Sequence, residues 1–397
     1  MKVAFLTAGG IAPCLTASII SLIKHYNKTK KSYEFIGYLN GYKGLLQGNS
    51  IAIPSAISDN QKSINYLGGS FLGNSRVKLS NIEDCIKNNY INKNEIPVEV
   101  AARQLMEDSV DVLHTIGGDD TNTTAAELVN YLKNHNYNLT VVGLPKTIDN
   151  DIYPISQTLG AYTAAEQTSL FFKNIVNENT TSARQLIIHE VMGRNCGWLT
   201  AYSAHLYMQS LQNIDFYDEI GLSREKWSVH AIYIPEKKFS LNEECLRLNR
   251  IMDKYDCVNI FLSEGAGVEN ILNEMKNNNQ NIPRDAFGHV RLDEINPGKW
   301  YADYFKNKLG CDKILVQKSG YFSRSSSPNI NDLELIENHA SKAVEYSVKK
   351  ESGVVGIDDN NGEINCISFD RIKGGKPFDV KYDWFCNLLK QIEQSSI

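Results

Sequence analysis

The 397-residue sequence lacks several features that would each have fixed its class. It has no apolar run near the ~20 residues that a membrane-spanning helix needs. Met1-Lys2-Val3-Ala4-Phe5-Leu6 starts like a targeting segment but gives way at Thr7 to glycines, so it reads as a first strand. No excess of positive charge is present: 41 Lys and Arg stand against 46 Asp and Glu, a net −5, which gives no footprint for a nucleic-acid partner. The eight cysteines are scattered with no Cys-x-x-Cys, which argues against a zinc site or disulfide framework and for a reducing, cytoplasmic setting. There is no Gly-Lys-Ser/Thr loop, no Gly-x-Gly-x-x-Gly, and no short-period repeat or obvious linker. The Rossmann dehydrogenase fingerprint is therefore missing, and no ribose-binding acid is evident. A few local cations can still bind an anionic substrate within an acidic chain.

What is present is an alternation. Lys2–Thr7, Val110–Ile116, Leu139–Leu144, Leu186–Val191 and Val258–Leu262 are short apolar runs, each followed by polar residues and, in most cases, glycine. Amphipathic stretches of helical period lie between them, such as Leu15 to Tyr26 and a helix capped by Thr121 or Asn122 with Ala125, Leu128, Val129 and Leu132 on one face. Strands alternating with helices predict an α/β fold on parallel sheets, with ligands at the carboxyl ends of the strands.

Those strand ends carry five groups of reactive residues, and two more lie elsewhere along the chain. Gly9-Gly10 lets backbone N–H groups approach a phosphate, though alone it reads equally as a tight turn. Gly117-Gly118-Asp119-Asp120 places two acids at a cleared strand end, where a carboxylate can hold Mg²⁺ against a polyphosphate. Lys146-Thr147-Ile148-Asp149-Asn150-Asp151 offers a cation for developing charge and a hydroxyl for a phosphate oxygen. Its two carboxylates are both able to accept a hydroxyl proton. Met192-Gly193-Arg194 places an arginine after a strand, and Glu264 can accept hydrogen bonds from sugar hydroxyls. Tyr321 and Arg324 can bind a terminal phosphate, and Arg76, after Gly68-Gly69, is another phosphate clamp or a structural arginine.

The order and spacing of these groups over nearly the whole chain resemble the phosphofructokinase family. The resemblance implies two doubly wound, Rossmann-like α/β domains with the active site in the cleft between them. It places a phosphoryl-donor domain at 1–161 plus 325–372 and a sugar-phosphate domain at 162–324 plus 373–397. By motif it makes Asp149 the general base toward the sugar 1-hydroxyl, Asp151 its supporting acid, Asp119 the Mg²⁺ carboxylate and Gly10 a donor contact. Thr147 and Arg194 become stabilisers of the moving phosphoryl group, and Met192, Gly193, Arg194, Glu264, Tyr321 and Arg324 sugar-phosphate contacts. ATP-using members carry glycine where this chain has Asp120 and Lys146. The paired change resembles the pyrophosphate-dependent branch, with the acid excluding a nucleotide α-phosphate and the lysine binding a smaller, denser anion. The expected partners are fructose 6-phosphate and pyrophosphate, with neither nucleic acid nor membrane, in a homo-oligomer of two or four chains. The rival readings are an ATP-dependent phosphofructokinase and a silent regulatory subunit of the same fold.

Overall fold

The computed structural model describes residues 1–29, 31–284 and 290–394. The chain forms two compact units, Met1–Ala164 with Arg324–Lys376 and Ala165–Ser323 with Pro377–Ile397. The crossings fall a few residues from the expected ones. Arg324 belongs to the first unit rather than the second, as do Lys373 to Lys376. Residues 395–397 of the expected second domain lie outside the described residues.

Among the described residues eleven strands build two sheets: β1 (Lys2–Thr7), β2 (Glu34–Tyr38), β3 (Ser50–Ala52), β4 (Val112–Gly117), β5 (Thr140–Pro145), β6 (Gln185–Val191), β7 (Ala231–Tyr233), β8 (Cys257–Ser263), β9 (Lys313–Lys318), β10 (Gly353–Ile357) and β11 (Ile364–Ile367). The first unit holds a seven-stranded sheet in the order β11-β10-β5-β4-β1-β2-β3. Its five inner strands are parallel and only β11 and β3 run antiparallel, at the two edges. β4 and β5 are buried at every position, so their sequence is mainly apolar rather than alternating, with His114, Thr115 and Thr140 as buried polar exceptions. Helices cover both faces. Ala4, Leu6, Leu113 and Val141 join the cluster under the helix Asp119–Asn134 through Ala125, Leu128 and Leu132. The alternate residues Phe5 and His114 stack on each other, and His114 bonds Tyr26 of the helix Leu15–Asn27.

The helix after β4 starts earlier than its sequence suggests. Gly118 is the N-cap in extended conformation and Asp119 and Asp120 form the first turn, where the helix dipole favours acids. Asn122 does not cap; its amide donates to the Gly118 carbonyl at 2.9 Å. The second unit is a four-stranded parallel sheet, β7-β8-β6-β9. In each sheet the strand order reverses beside a central strand, β1 against β4 and β6 against β9. The crevice outside the carboxyl ends at such a point is where ligands bind in open α/β sheets.

Candidate active site

In the first unit, four loops meet at the carboxyl ends of β1, β4 and β5. Gly9 adopts φ +85°, which a side chain would strain, and its N–H donates to Ser75 at 2.8 Å. The Thr16 hydroxyl and N–H both donate to Gly69 at 2.8 Å, and Thr7 donates to Gly73 at 2.7 Å. The loop 68–76 is thereby stitched to the first glycine loop, which brings Arg76 to Gly10. A Cβ on Gly10 would overlap the Arg324 guanidinium and lie 3.9 Å from Arg76 Nη2. The Arg324 guanidinium thus lies directly over Gly10, with Arg76 in ordinary contact distance. Arg324 lies 3.5 Å from the Ile11 carbonyl, so its guanidinium stands at this loop.

Lys146 completes the cation group. Its N–H donates to Gly117 at 2.9 Å, fixing the β5 end against the β4 end, and its ammonium donates to the Gly10 carbonyl at 3.0 Å. The side chain is 5% exposed. Burial brings its pKa down to about 8; the nearby Arg324 and Arg76 add to the fall, while Cys14 and Asp149 oppose it. The folded state thus holds fewer protons than the unfolded chain between about pH 8 and the ordinary lysine value of 10.5, so this group's contribution to stability improves as pH rises through that window.

Asp119 and Asp149 both lie within electrostatic reach of Asp151. Burial, then the charges of Asp149 and Asp119, push the Asp151 carboxyl up to about 6. Thr147 links the pair: its hydroxyl donates to Asp151 at 3.2 Å and accepts from the Asp149 N–H at 3.2 Å. Its one proton is engaged by the Asp151 carboxylate. Asn150, at φ +57°, holds the loop through bonds from the N–H and hydroxyl of Thr158 at 2.8 and 3.1 Å. Asp120 is not part of this acid group. Its carboxylate forms an ion pair with Lys78 at 2.7 Å.

In the second unit the loops after β6, β8 and β9 interlock. Gly193 has φ +128°, its N–H faces Glu264 Oε1 at 3.4 Å, and its carbonyl accepts from the Ser263 hydroxyl. A Cβ on Gly265 would overlap the Arg194 carbonyl, and Met192 packs on Gly320. Arg194 is exposed, with Nη2 donating to the Val290 carbonyl at 2.9 Å. Tyr321 is largely exposed on the short helix Gly320–Arg324. Glu190, at the end of β6, is buried and receives Lys318 and the Gly298 N–H, both at 2.8 Å.

Two participants escaped the sequence reading. Lys78 shows no motif; only its position two residues past Arg76 hints at it. The segment Lys373-Gly374-Gly375-Lys376 carried a glycine pair between lysines, the same signal used elsewhere, yet a Cβ on Gly374 would overlap the Asp119 carboxylate. Among the described residues no three carboxylate, imidazole or thiolate groups form a metal cage by themselves.

The family model described as phosphofructokinase matches residues 2–347. A pyrophosphate–fructose 6-phosphate 1-phosphotransferase of Methylomonas methanica is 53% identical over 99% of this chain and 96% of its own. One of the same name from Mastigamoeba balamuthi is 50% identical over 99% and 96%. Among solved structures, a pyrophosphate-dependent phosphofructokinase from Marinobacter aquaeolei superposes with TM-score 0.70 over 100% of this chain and 93% of its own, at 19% identity.

Proposed function

Because this chain belongs to the phosphofructokinase family, we propose that it moves a phosphoryl group reversibly from pyrophosphate to the 1-hydroxyl of fructose 6-phosphate. The products are fructose 1,6-bisphosphate and phosphate. The observation that carries the donor assignment is Lys146: its ammonium rests on the Gly10 carbonyl inside the cation group, in the space that a glycine leaves open in the ATP-using pattern. Its nearly full-length relatives of the same printed activity support the same reading.

In this reading Lys146, Arg76 and Arg324 neutralise the pyrophosphate and the charge that develops as its bond breaks. Asp149 takes the proton of the sugar hydroxyl, and Asp151, linked to it through Thr147, holds the loop geometry. Arg194 meets the transferring group. Met192, Gly193, Glu264 and Tyr321 hold the sugar phosphate, and Arg324, at the Gly10 loop, contributes to phosphate binding. The acid group fits Mg²⁺, an ion that takes one or two protein carboxylates and fills its shell from phosphate oxygens and water. Asp119 is the residue that would hold it, and the ion would supply charge neutralisation at the phosphates. All eight cysteines are free, which suits a reducing cytoplasm, and a homo-oligomer of two or four chains belongs to the same proposal.

The test is a coupled assay of the purified chain with fructose 6-phosphate and either donor. We expect turnover with pyrophosphate and Mg²⁺ and at least a hundredfold lower kcat/KM with ATP. Equal or better use of ATP would hand the assignment to the ATP-dependent reading, and no turnover with either donor to the silent subunit.

The Lys146 environment adds a pH signature. The kcat/KM for pyrophosphate should fall about tenfold per unit as pH rises above about 8, because the free enzyme loses the ammonium charge. Lys146→Arg stays charged throughout, so in that variant the falling limb should vanish. A limb of the same midpoint in both proteins would assign it to another group.

A further inference from the structure

The segment 372–376 closes the first unit, and its contacts converge on the acids of the proposed site. Ile372 is buried in a small cluster with Ile152, Ile155, Val354 and Ile367. Lys373 pairs with Tyr153 in both directions, receiving the Tyr153 N–H at 2.8 Å and donating its own at 3.0 Å. The Lys376 N–H donates to the main-chain carbonyl of Asp151 at 2.9 Å. Its ammonium reaches the Ile155 carbonyl at 2.8 Å and Asp359 at 2.7 Å. The strap is thus fastened to 151–155 at both ends. Between the fastenings, the backbone of Gly374 stands against the Asp119 side chain so closely that a Cβ would overlap Oδ2 and lie 3.2 Å from the Asp119 Cβ. Gly374 has no positive φ to explain its glycine, whereas Gly375, with φ +76°, has nothing within 4 Å of a Cβ. The requirement at Gly374 is therefore space for a carboxylate.

From this we infer that the strap 372–376 is a positioning element for the phosphoryl-transfer site: Gly374 walls Asp119 into one orientation while Lys376 ties the same strap to Asp151. The inference rests on the pyrophosphate reading and deepens it. Asp119, Asp149 and Asp151 carry like charges, and a carboxylate at the mouth of such a group turns toward water unless something holds it. A backbone wall does this at no loss of its charge or lone pairs. A side chain would instead push Asp119 out of the orientation in which it meets a phosphate-bound cation. The sequence separation, from 119 and 151 to 374 and 376, hid the arrangement.

The experiment compares wild type, Gly374→Ala and Lys376→Met. The first fills the space beside Asp119; the second removes the ammonium's hold on Ile155 and Asp359, loosening the strap while leaving its main-chain bond to Asp151 and adding no bulk beside Asp119. Binding of Mn²⁺–pyrophosphate is read by water-proton relaxation enhancement, independently of turnover, alongside KM for fructose 6-phosphate and thermal unfolding. We expect binding weakened at least tenfold in Gly374→Ala and at least threefold in Lys376→Met, with KM for the sugar within twofold of wild type. Variant chains that bind Mn²⁺–pyrophosphate within twofold of a competent wild type overturn the strap alone. A loss of sugar affinity equal to the loss of metal–pyrophosphate affinity also overturns it, as general damage to the fold. Should Gly374→Ala not fold, Lys376→Met decides by the same thresholds. A wild type that neither enhances relaxation nor turns over pyrophosphate overturns the functional reading, and the strap with it.

Discussion

Asp149→Asn should lower kcat by about 10²–10⁴-fold, the usual worth of a general base, while the protein folds and binds fructose 6-phosphate. The substitution keeps the shape of the side chain. It leaves the Asp149 N–H on Thr147, and it leaves the loop clamp through Asn150 and Thr158 intact. The capacity to take a proton is removed, together with the charge that acts on Asp151 and Lys146. The group that accepts the proton in one direction donates it in the other, so turnover of fructose 1,6-bisphosphate with phosphate should fall in parallel. Steady-state rates in both directions, with calorimetric titration of the sugar phosphate, check this. Turnover within threefold of wild type would take Asp149 out of the role. Asp151→Asn should cost less, because Asp151 acts through Thr147 and its own carboxyl is already pushed up to about 6 by burial and its neighbours.

The parts of the architecture that could be read in the sequence share one physical cause. Strands buried on both faces are mainly apolar, so β1, β4, β5, β6 and β8 stand out as runs despite a few buried polar residues such as His114 and His189, and their ends mark the loops where candidate chemistry sits. β9 gives no such signal. It begins and ends in lysine and is only half-buried. The helix after β4 starts before Thr121 and Asn122, which are good caps by type, because the pair Asp119-Asp120 gains from the helix dipole in the first turn. Residue types also sufficed to name Lys146, Asp149 and Asp151, since each lies beside a strand end. They could not show that the Thr147 hydroxyl is engaged by Asp151, that Lys78 pairs with Asp120, or that Gly374 faces Asp119. Those contacts depend on side-chain direction or on partners dozens to hundreds of residues away, where no local period exists.

The donor preference itself should be reversible, and the geometry says how. Asp120 carries its carboxylate on Lys78 at 2.7 Å, and Lys146 sits on Gly10. In the proposed donor reading the two residues act by different means, the first by charge and the second by volume and a buried cation. Lys146→Gly alone should weaken pyrophosphate use without admitting ATP, because the acid still repels an α-phosphate. Asp120→Gly alone should admit ATP poorly, because the lysine still fills the space beside Gly10. With both changes, the ratio of kcat/KM for ATP over pyrophosphate should rise by about 10³-fold, roughly 4 kcal/mol at 1.4 kcal/mol per tenfold. That exceeds the product of the single effects, as expected where two residues guard one site. Both donors are to be measured across wild type, the two singles and the double, with unfolding curves to show that each variant is native. A folded double variant with no gain in ATP use relative to pyrophosphate would show that neither residue sets the donor. Strictly additive singles would show that the carboxylate and the lysine exclude the nucleotide at separate points rather than as one device.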